Sequence, residues 1–160
     1  MTVSIIVAVK KDNPFLRECI EGCLRLDYAA FEILILPDKE LILNYPRTRV
    51  IPTGELTPPQ KRDIGIAQAQ GEIIAFLDDD TYPAKDWLTK ALRHFEDKEI
   101  DAVGGPAVTA DSDGINQKAS GLVYSCWLVS GQFVYRYQPR RKRYVEDFPS
   151  CNFLIRKTVM

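Results

Sequence analysis

The sequence predicts an α/β fold, a mostly parallel sheet flanked by helices. Two observations predict it. Short, almost wholly apolar runs recur at residues 3–9 (VSIIVAV), 31–36 (FEILIL) and 72–77 (EIIAFL), the pattern of strands covered on both faces. Between them lie stretches with helical capping signals and apolar residues at helical spacing, so strand and helix alternate as in parallel βαβ units.

The elements follow in order. After the first strand, Asp12 or Asn13 can cap a helix and Pro14 suits its first position. Leu16, Ile20, Cys23, Leu24 and Leu26 then give that helix an apolar face. The second strand is stopped by Pro37, and Val50 with Ile51 predicts a short third strand. Residues 57–70 (TPPQKRDIGIAQAQ) open on Thr57 and two prolines and predict a second helix. The fourth strand runs straight into Asp78, Asp79 and Asp80. Pro83 and Ala84 open a helix on which Trp87, Leu88, Ala91, Leu92 and Phe95 share a stripe. Residues 102–108 (AVGGPAV) and 152–156 (NFLIR) predict further strands, and residues 111–114 (DSDG) a turn. Residues 117–135 are aromatic-rich and carry no clear periodicity.

Composition narrows the function classes. With 160 residues and 46% hydrophobic content the chain can bury a sizeable core, and residues 1–160 are expected to form one domain. A formal net charge of −1 offers no bulk attraction to polyanions, so nucleic acid is not an expected partner. Four scattered cysteines, Cys19, Cys23, Cys126 and Cys151, build neither a disulfide scaffold nor a zinc site, which points to a reducing, cytoplasmic setting. Cys19 and Cys23, one helical turn apart, read as core packing. No run reaches the roughly 18–20 apolar residues of a membrane span. The segment AVKKDN after the first strand has no glycine, which excludes the phosphate loops of P-loop NTPases, nucleotidyltransferases and dinucleotide oxidoreductases.

The acidic triplet is the feature with chemistry. Ligands of open α/β sheets bind beyond the carboxyl ends of the strands, and the triplet sits there. Three adjacent carboxylates repel one another and resist desolvation, so they call for a cation or a set of donors. Mg²⁺ or Mn²⁺ takes one or two carboxylates and completes its shell with water and substrate phosphates.

Three stretches together resemble the family 2 glycosyltransferases: VSIIVAV with its helix, the run KRDIGIAQAQGEIIAFLDDD over residues 61–80, and FPSCNFLIRK near the end. The middle stretch is the most specific, through the spacing of Arg62, Gly65, Gly71 and Glu72 before an apolar strand and Asp-x-Asp. The resemblance implies the GT-A fold, a Rossmann-like sheet. It also implies inverting transfer of a sugar from a nucleoside diphosphate sugar to a sugar or lipid-linked acceptor. By position, Asp80 is then the direct metal ligand for Mn²⁺ or Mg²⁺. Asp78 and Asp79 hold ribose hydroxyls or the metal and its waters, and Ala8, Val9 and Lys10 border the nucleoside. Asp38 accepts from the base, and Arg62 lies near the diphosphate. Two departures bear on the base. Where the family usually has Pro-Thr-Tyr-Asn this chain has Ala8, Val9, Lys10 and Lys11, so the aromatic stack is missing. Where it has Asp-Asp-Gly-Ser this chain has Pro37, Asp38, Lys39 and Glu40.

The resemblance also implies a general base beyond Met160, in a longer protein whose acceptor side follows. Neither Glu146 nor Asp147 is nominated for that role. The alternative is a non-catalytic nucleotide-sugar-binding or regulatory module. Arg136, Arg140, Arg141, Lys142 and Arg143 form the one basic cluster, and with the aromatic stretch before it, residues 122–143 offer a peripheral contact to the inner face of a membrane. His94, the lone histidine, is expected on the exposed side of its helix.

Overall fold

The computed structural model describes residues 1–160. Its strands are β1 (Val3–Ala8), β2 (Phe31–Leu36), β3 (Thr48–Val50), β4 (Ile73–Asp78), β5 (Ala102–Gly104) and β6 (Asn152–Arg156). Its α-helices are α1 (Pro14–Leu24), α2 (Pro58–Gln68), α3 (Trp87–Leu92), α4 (Ile115–Ser125) and α5 (Trp127–Ser130). The strands form one sheet in the order β3-β2-β1-β4-β6-β5. β3, β2, β1 and β4 are mutually parallel, and β6 runs antiparallel to both of its neighbours.

The register sets up the site. Val3 lies beside Phe31 on one flank and Ile73 on the other, so Ala8 ends level with Leu36 and Asp78. The residues that follow these three strands therefore share one rim.

Both faces of the sheet are covered, which is why its central strands are apolar throughout. Val3, Ile5, Val7, Ile33 and Ile35 pack with α1 and α3 residues, while Ile6, Leu34, Leu36, Ile74 and Phe76 pack on the α2 side. Each fully buried aliphatic side chain contributes about 1.5–3 kcal/mol. Helix α2 can approach because of Gly65, where a Cβ would stand 2.9 Å from Ile6 Cγ2 and 3.1 Å from Leu36 Cδ1. Cys19 and Cys23 are buried in the α1 core. A hydrogen bond with Cys23 and then burial push the Cys19 thiol far up, so it packs rather than reacts.

The end of the sheet opposite the triplet is tied by a polar brace. Buried Ser4 donates to Glu32 Oε1 at 2.7 Å and accepts from the Gly71 amide at 2.8 Å. The Gln70 amide adds a 2.7 Å bond to Glu32 Oε1, and Arg49 a 2.9 Å bond to Oε2. Burial alone would raise the Glu32 carboxyl, but the bonds from Ser4, Gln70 and Arg49 outweigh it and hold it below its usual value. Its stabilisation is thus present above the unfolded-state value and is lost as pH falls through the lowered one. Glu32→Gln is expected to cost about 1–2 kcal/mol at neutral pH, and urea unfolding at successively lower pH should show that gap shrinking once the pH falls below the unfolded-state value of a glutamate.

Several boundaries differ from the sequence reading. The third strand is Thr48–Val50 and stops short of Ile51. β5 ends at Gly104 instead of running to Val108: its partner β6 begins at Asn152, whose carbonyl takes a last cross-strand bond from the Gly105 amide, so the residues beyond have no strand to pair with. The helix foreseen from Pro83 begins at Trp87 and passes at Leu92 into a 3-10 turn over Arg93–Glu96. Residues 117–135, read without regular structure, carry most of α4 and all of α5. No residue of either helix is buried, so no core-facing stripe announces them.

Candidate functional site

The site lies where β1, β2 and β4 end. A cleft of about 560 Å³ opens there, and its walls include Ala8, Val9, Lys10, Asp38 and Asp79. Five of the residues expected at the nucleotide thus share one cavity, although they come from three strands. The chain reverses the same way after each parallel strand, and that geometry collects them.

Asp38 is anchored by a residue the sequence reading left without a role. Lys61 is only 3% exposed. Its ammonium donates to the Val9 carbonyl at 2.6 Å, to the Leu36 carbonyl at 3.3 Å and to Asp38 Oδ1. These three acceptors use all three ammonium protons. They knit the ends of β1 and β2 together and leave Asp38 Oδ2 for the cleft. The signal was a lysine in the first turn of a helix opening beside the site. It was masked by the ordinary expectation that a lysine next to an arginine faces water.

Asn13 is the second unforeseen member. Of the two possible caps of α1, Asn13 takes the role, accepting from the Leu16 amide at 2.9 Å through Oδ1. Its Nδ2 donates to Asp79 Oδ2 at 2.8 Å, so one side chain both starts the helix and positions the middle acid. Gln60 braces the start of α2 in a similar way, accepting from the Thr57 amide at 3.0 Å and from its hydroxyl at 2.8 Å.

Arg62, one residue past Lys61, reaches the α2 face of β4. Its Nη2 donates to Asp78 Oδ1 at 2.8 Å, and the guanidinium lies 6.0 Å from the Phe76 ring centre. Burial raises the Asp78 carboxyl above its ordinary range, the Arg62 charge opposes that, and Asp80 and Asp79 push it further up. Asp79 is half-buried and Asp80 is exposed. The structure therefore brings Asp38, Asp79 and the end of β1 around the cleft, sets Arg62 against Asp78, and leaves Asp80 projecting beyond them.

The donor set fits a cation shared with a ligand. No three His, Cys, Asp or Glu side chains converge as an all-protein cage, whereas Mg²⁺ and Mn²⁺ sites of the diphosphate type draw only one or two carboxylates from the protein. Arg62 Nε is buried and has no acceptor. An orphaned guanidinium donor beside crowded carboxylates suits an anionic group that carries its own cation.

His94 is half-buried rather than exposed. It lies in the 3-10 turn Arg93–Glu96 and lines a second and larger cavity beside β5. Arg136 of the basic cluster is drawn off into a pair with Asp147 and stacks 4.4 Å from the Phe133 ring centre.

A mostly parallel six-stranded sheet with an antiparallel strand between β4 and β5, and acids at the end of β4, defines a GT-A-type α/β protein. The glycosyl transferase family 2 model matches residues 4–160, and the chain belongs to that family. It is 32% identical over 112 residues to the uncharacterized glycosyltransferase EpsJ of Bacillus subtilis (strain 168), covering 64% of this chain and 33% of that protein. It is 30% identical over 124 residues to an uncharacterized glycosyltransferase of Haemophilus influenzae, covering 70% of this chain and 49% of that one. The chain spans between a third and a half of the length of the curated relatives it matches. Among solved structures, S. aureus TarS in complex with UDP-GlcNAc superposes with a TM-score of 0.61 at 21% identity, over 72% of this chain and 37% of that one. Mannosyltransferase PcManGT from Pyrobaculum calidifontis, in complex with GDP-Man and Mn²⁺, gives 0.64 at 16% identity, over 96% and 44%. These likenesses are of fold.

Proposed function

We propose that residues 1–160 act as one donor-binding unit of a metal-assisted, inverting glycosyltransferase. It would hold a nucleoside diphosphate sugar and pass the sugar to an acceptor hydroxyl. The observation that carries this reading is the shared cleft: Ala8, Val9, Lys10, Asp38 and Asp79 line one cavity at the strand ends, with Arg62 and Asp78 paired at its side. The relatives named above are glycosyltransferases, and two neighbours of the same fold hold UDP-GlcNAc or GDP-Man.

Each residue then has a physical task. Asp38, held by Lys61, offers its free oxygen to an N–H on the edge of the base. Ala8, Val9 and Lys10 shape the wall against the nucleoside, with Lys10 where an aromatic plate would otherwise stack. Asp78 and Asp79, fixed by Arg62 and Asn13, present oxygens to ribose hydroxyls or to metal-bound water. Asp80 with Asp78 would hold Mn²⁺ or Mg²⁺, which neutralises charge developing on the departing diphosphate. Arg62 shares that charge through its unused donor. In the transfer, the acceptor oxygen bonds to the anomeric carbon as the bond to the diphosphate oxygen breaks, and a base takes the hydroxyl proton. Asp147 is tied to Arg136, and both it and Glu146 line the other cavity, so neither is assigned that proton.

The reading is tested by thermal shift with UDP, GDP and their sugars, with and without Mn²⁺. At least one nucleotide should raise the melting temperature only when the metal is present. Asp80→Ala should remove the metal-dependent part while leaving the unliganded melting temperature unchanged, because Asp80 is exposed. A parent protein indifferent to every nucleotide would refute the proposal.

A further inference from the structure

The larger cavity, about 970 Å³, lies between β5 at the sheet edge and the segment leading into β6. We infer that it receives the phosphate head group of a lipid-linked acceptor; this rests on the donor-binding reading above.

Charge is the first argument. Arg140, Arg141, Lys142 and Arg143 are consecutive, and all four line the cavity. None of them enters an ion pair of the protein. The facing carboxylates are Glu146 and Asp147, and Asp147 is already committed to Arg136. In a chain of net charge −1 this is a local positive excess, and guanidinium forks match phosphate oxygens.

The second argument is that the wall is built. Arg143 donates to the Gln132 carbonyl at 3.2 Å and lies 4.3 Å over the Tyr135 ring. Tyr135 donates to the Asp147 carbonyl at 2.7 Å and packs 5.7 Å from the Phe148 ring. Phe148 in turn fills the place of the missing side chain at Gly104, where a Cβ would stand 2.4 Å from its ring. The basic segment is therefore fastened to the sheet edge with its cations turned to the cavity.

Position is the third. Phe153, another wall residue, pairs with Phe76 across the sheet. Asp78 follows two residues later on the same face, on the order of 8 Å away by strand geometry. A phosphate held here would keep a sugar attached to it within reach of the donor cleft.

The fourth argument selects a lipid over a soluble phosphate. Trp127, Leu128 and Val129 of α5 are 68%, 85% and 57% exposed. They run directly into the 3-10 turn Gly131–Arg136, which contains the Gln132 carbonyl on which Arg143 rests. Exposed large apolar side chains joined to a basic cavity suit a bilayer surface, whereas a soluble phosphorylated sugar would need the cations alone.

The test is vesicle flotation of the whole chain with phosphatidylcholine alone, with added phosphatidylglycerol, and with added oleic acid matched in surface charge. Phosphatidylglycerol, whose phosphate bridges the lipid and a hydroxylated head group as in a lipid-linked sugar, should bind about tenfold more tightly than the phosphate-free oleate. The triple variant R140E/R141E/K142E should weaken that binding by about a hundredfold, and Trp127→Ser with Leu128→Ser should weaken it by about tenfold. If the triple variant melts early, Arg141→Gln alone must still lower the affinity severalfold. Equal binding of the two charged lipids, or no response to these substitutions, would overturn the inference. So would glycerol 3-phosphate binding as tightly as the vesicles, which would leave a phosphate site without a lipid. The metal-dependent nucleotide shift should survive in the triple variant, so a failure of the donor reading is separable from a failure of this one.

Discussion

Lys61→Met is expected to lower the unfolding free energy by about 3–5 kcal/mol. The substitution keeps the length of the side chain and removes its charge. It leaves the Asp38 carboxylate, whose side chain is 10% exposed, without a counter-charge, and it strips the Val9 and Leu36 carbonyls of a shared donor. Unpaired burial makes the loss large, since an intact buried pair contributes little relative to an apolar replacement. The double variant Lys61→Met with Asp38→Leu should therefore recover most of the stability, while leaving no acceptor for a base edge. Urea unfolding of the single and double variants checks the first expectation, and nucleotide thermal shifts of the double variant check the second. A single variant as stable as the parent would show that the carboxylate finds water or another donor at no cost.

Gly71→Ala carries a comparable penalty for a steric reason. A Cβ at Gly71 would stand 2.4 Å from the Ser4 nitrogen, 2.7 Å from the Val3 carbonyl carbon and 2.9 Å from Ser4 Oγ. Two of these atoms belong to the backbone of β1, which is paired on both sides and cannot give way. The third anchors the brace to Glu32. A loss of about 3 kcal/mol is expected, seen as a lower urea midpoint with an unchanged slope. Gly54 provides the contrast. It sits at φ +79° with nothing within 4 Å, so Gly54→Ala meets only backbone strain and should cost about 1–2 kcal/mol.

How much of this was legible in the sequence depended on burial. β2 and β6 were read to the residue, and β1 and β4 to within a residue at each end, because continuous apolar runs have few alternatives. The triplet was visible for the complementary reason, since charge following such a run marks the strand's end. Gly71 was visible as part of a spacing, but its cause, the approach of one backbone to another, exists only once β1 and β4 are side by side. Lys61 and Asn13 were hidden because each looks locally ordinary. One reads as a helix-surface cation and the other as a cap, and their second tasks depend on partners 52 and 66 residues away. α4 and α5 were missed because exposed helices bury no stripe.

The antiparallel strand β6 has a consequence for how the molecule is made. Its residues emerge after those of β5, yet it lies between β4 and β5, and β5 pairs with no other strand. During synthesis β3, β2, β1 and β4 can assemble as soon as β4 has left the ribosome. The open flank of β4 then waits for a partner some seventy residues downstream, and closing a loop of that length is slow. In that interval the nascent chain presents an unpaired, apolar edge, the condition under which chains associate with one another or recruit chaperones.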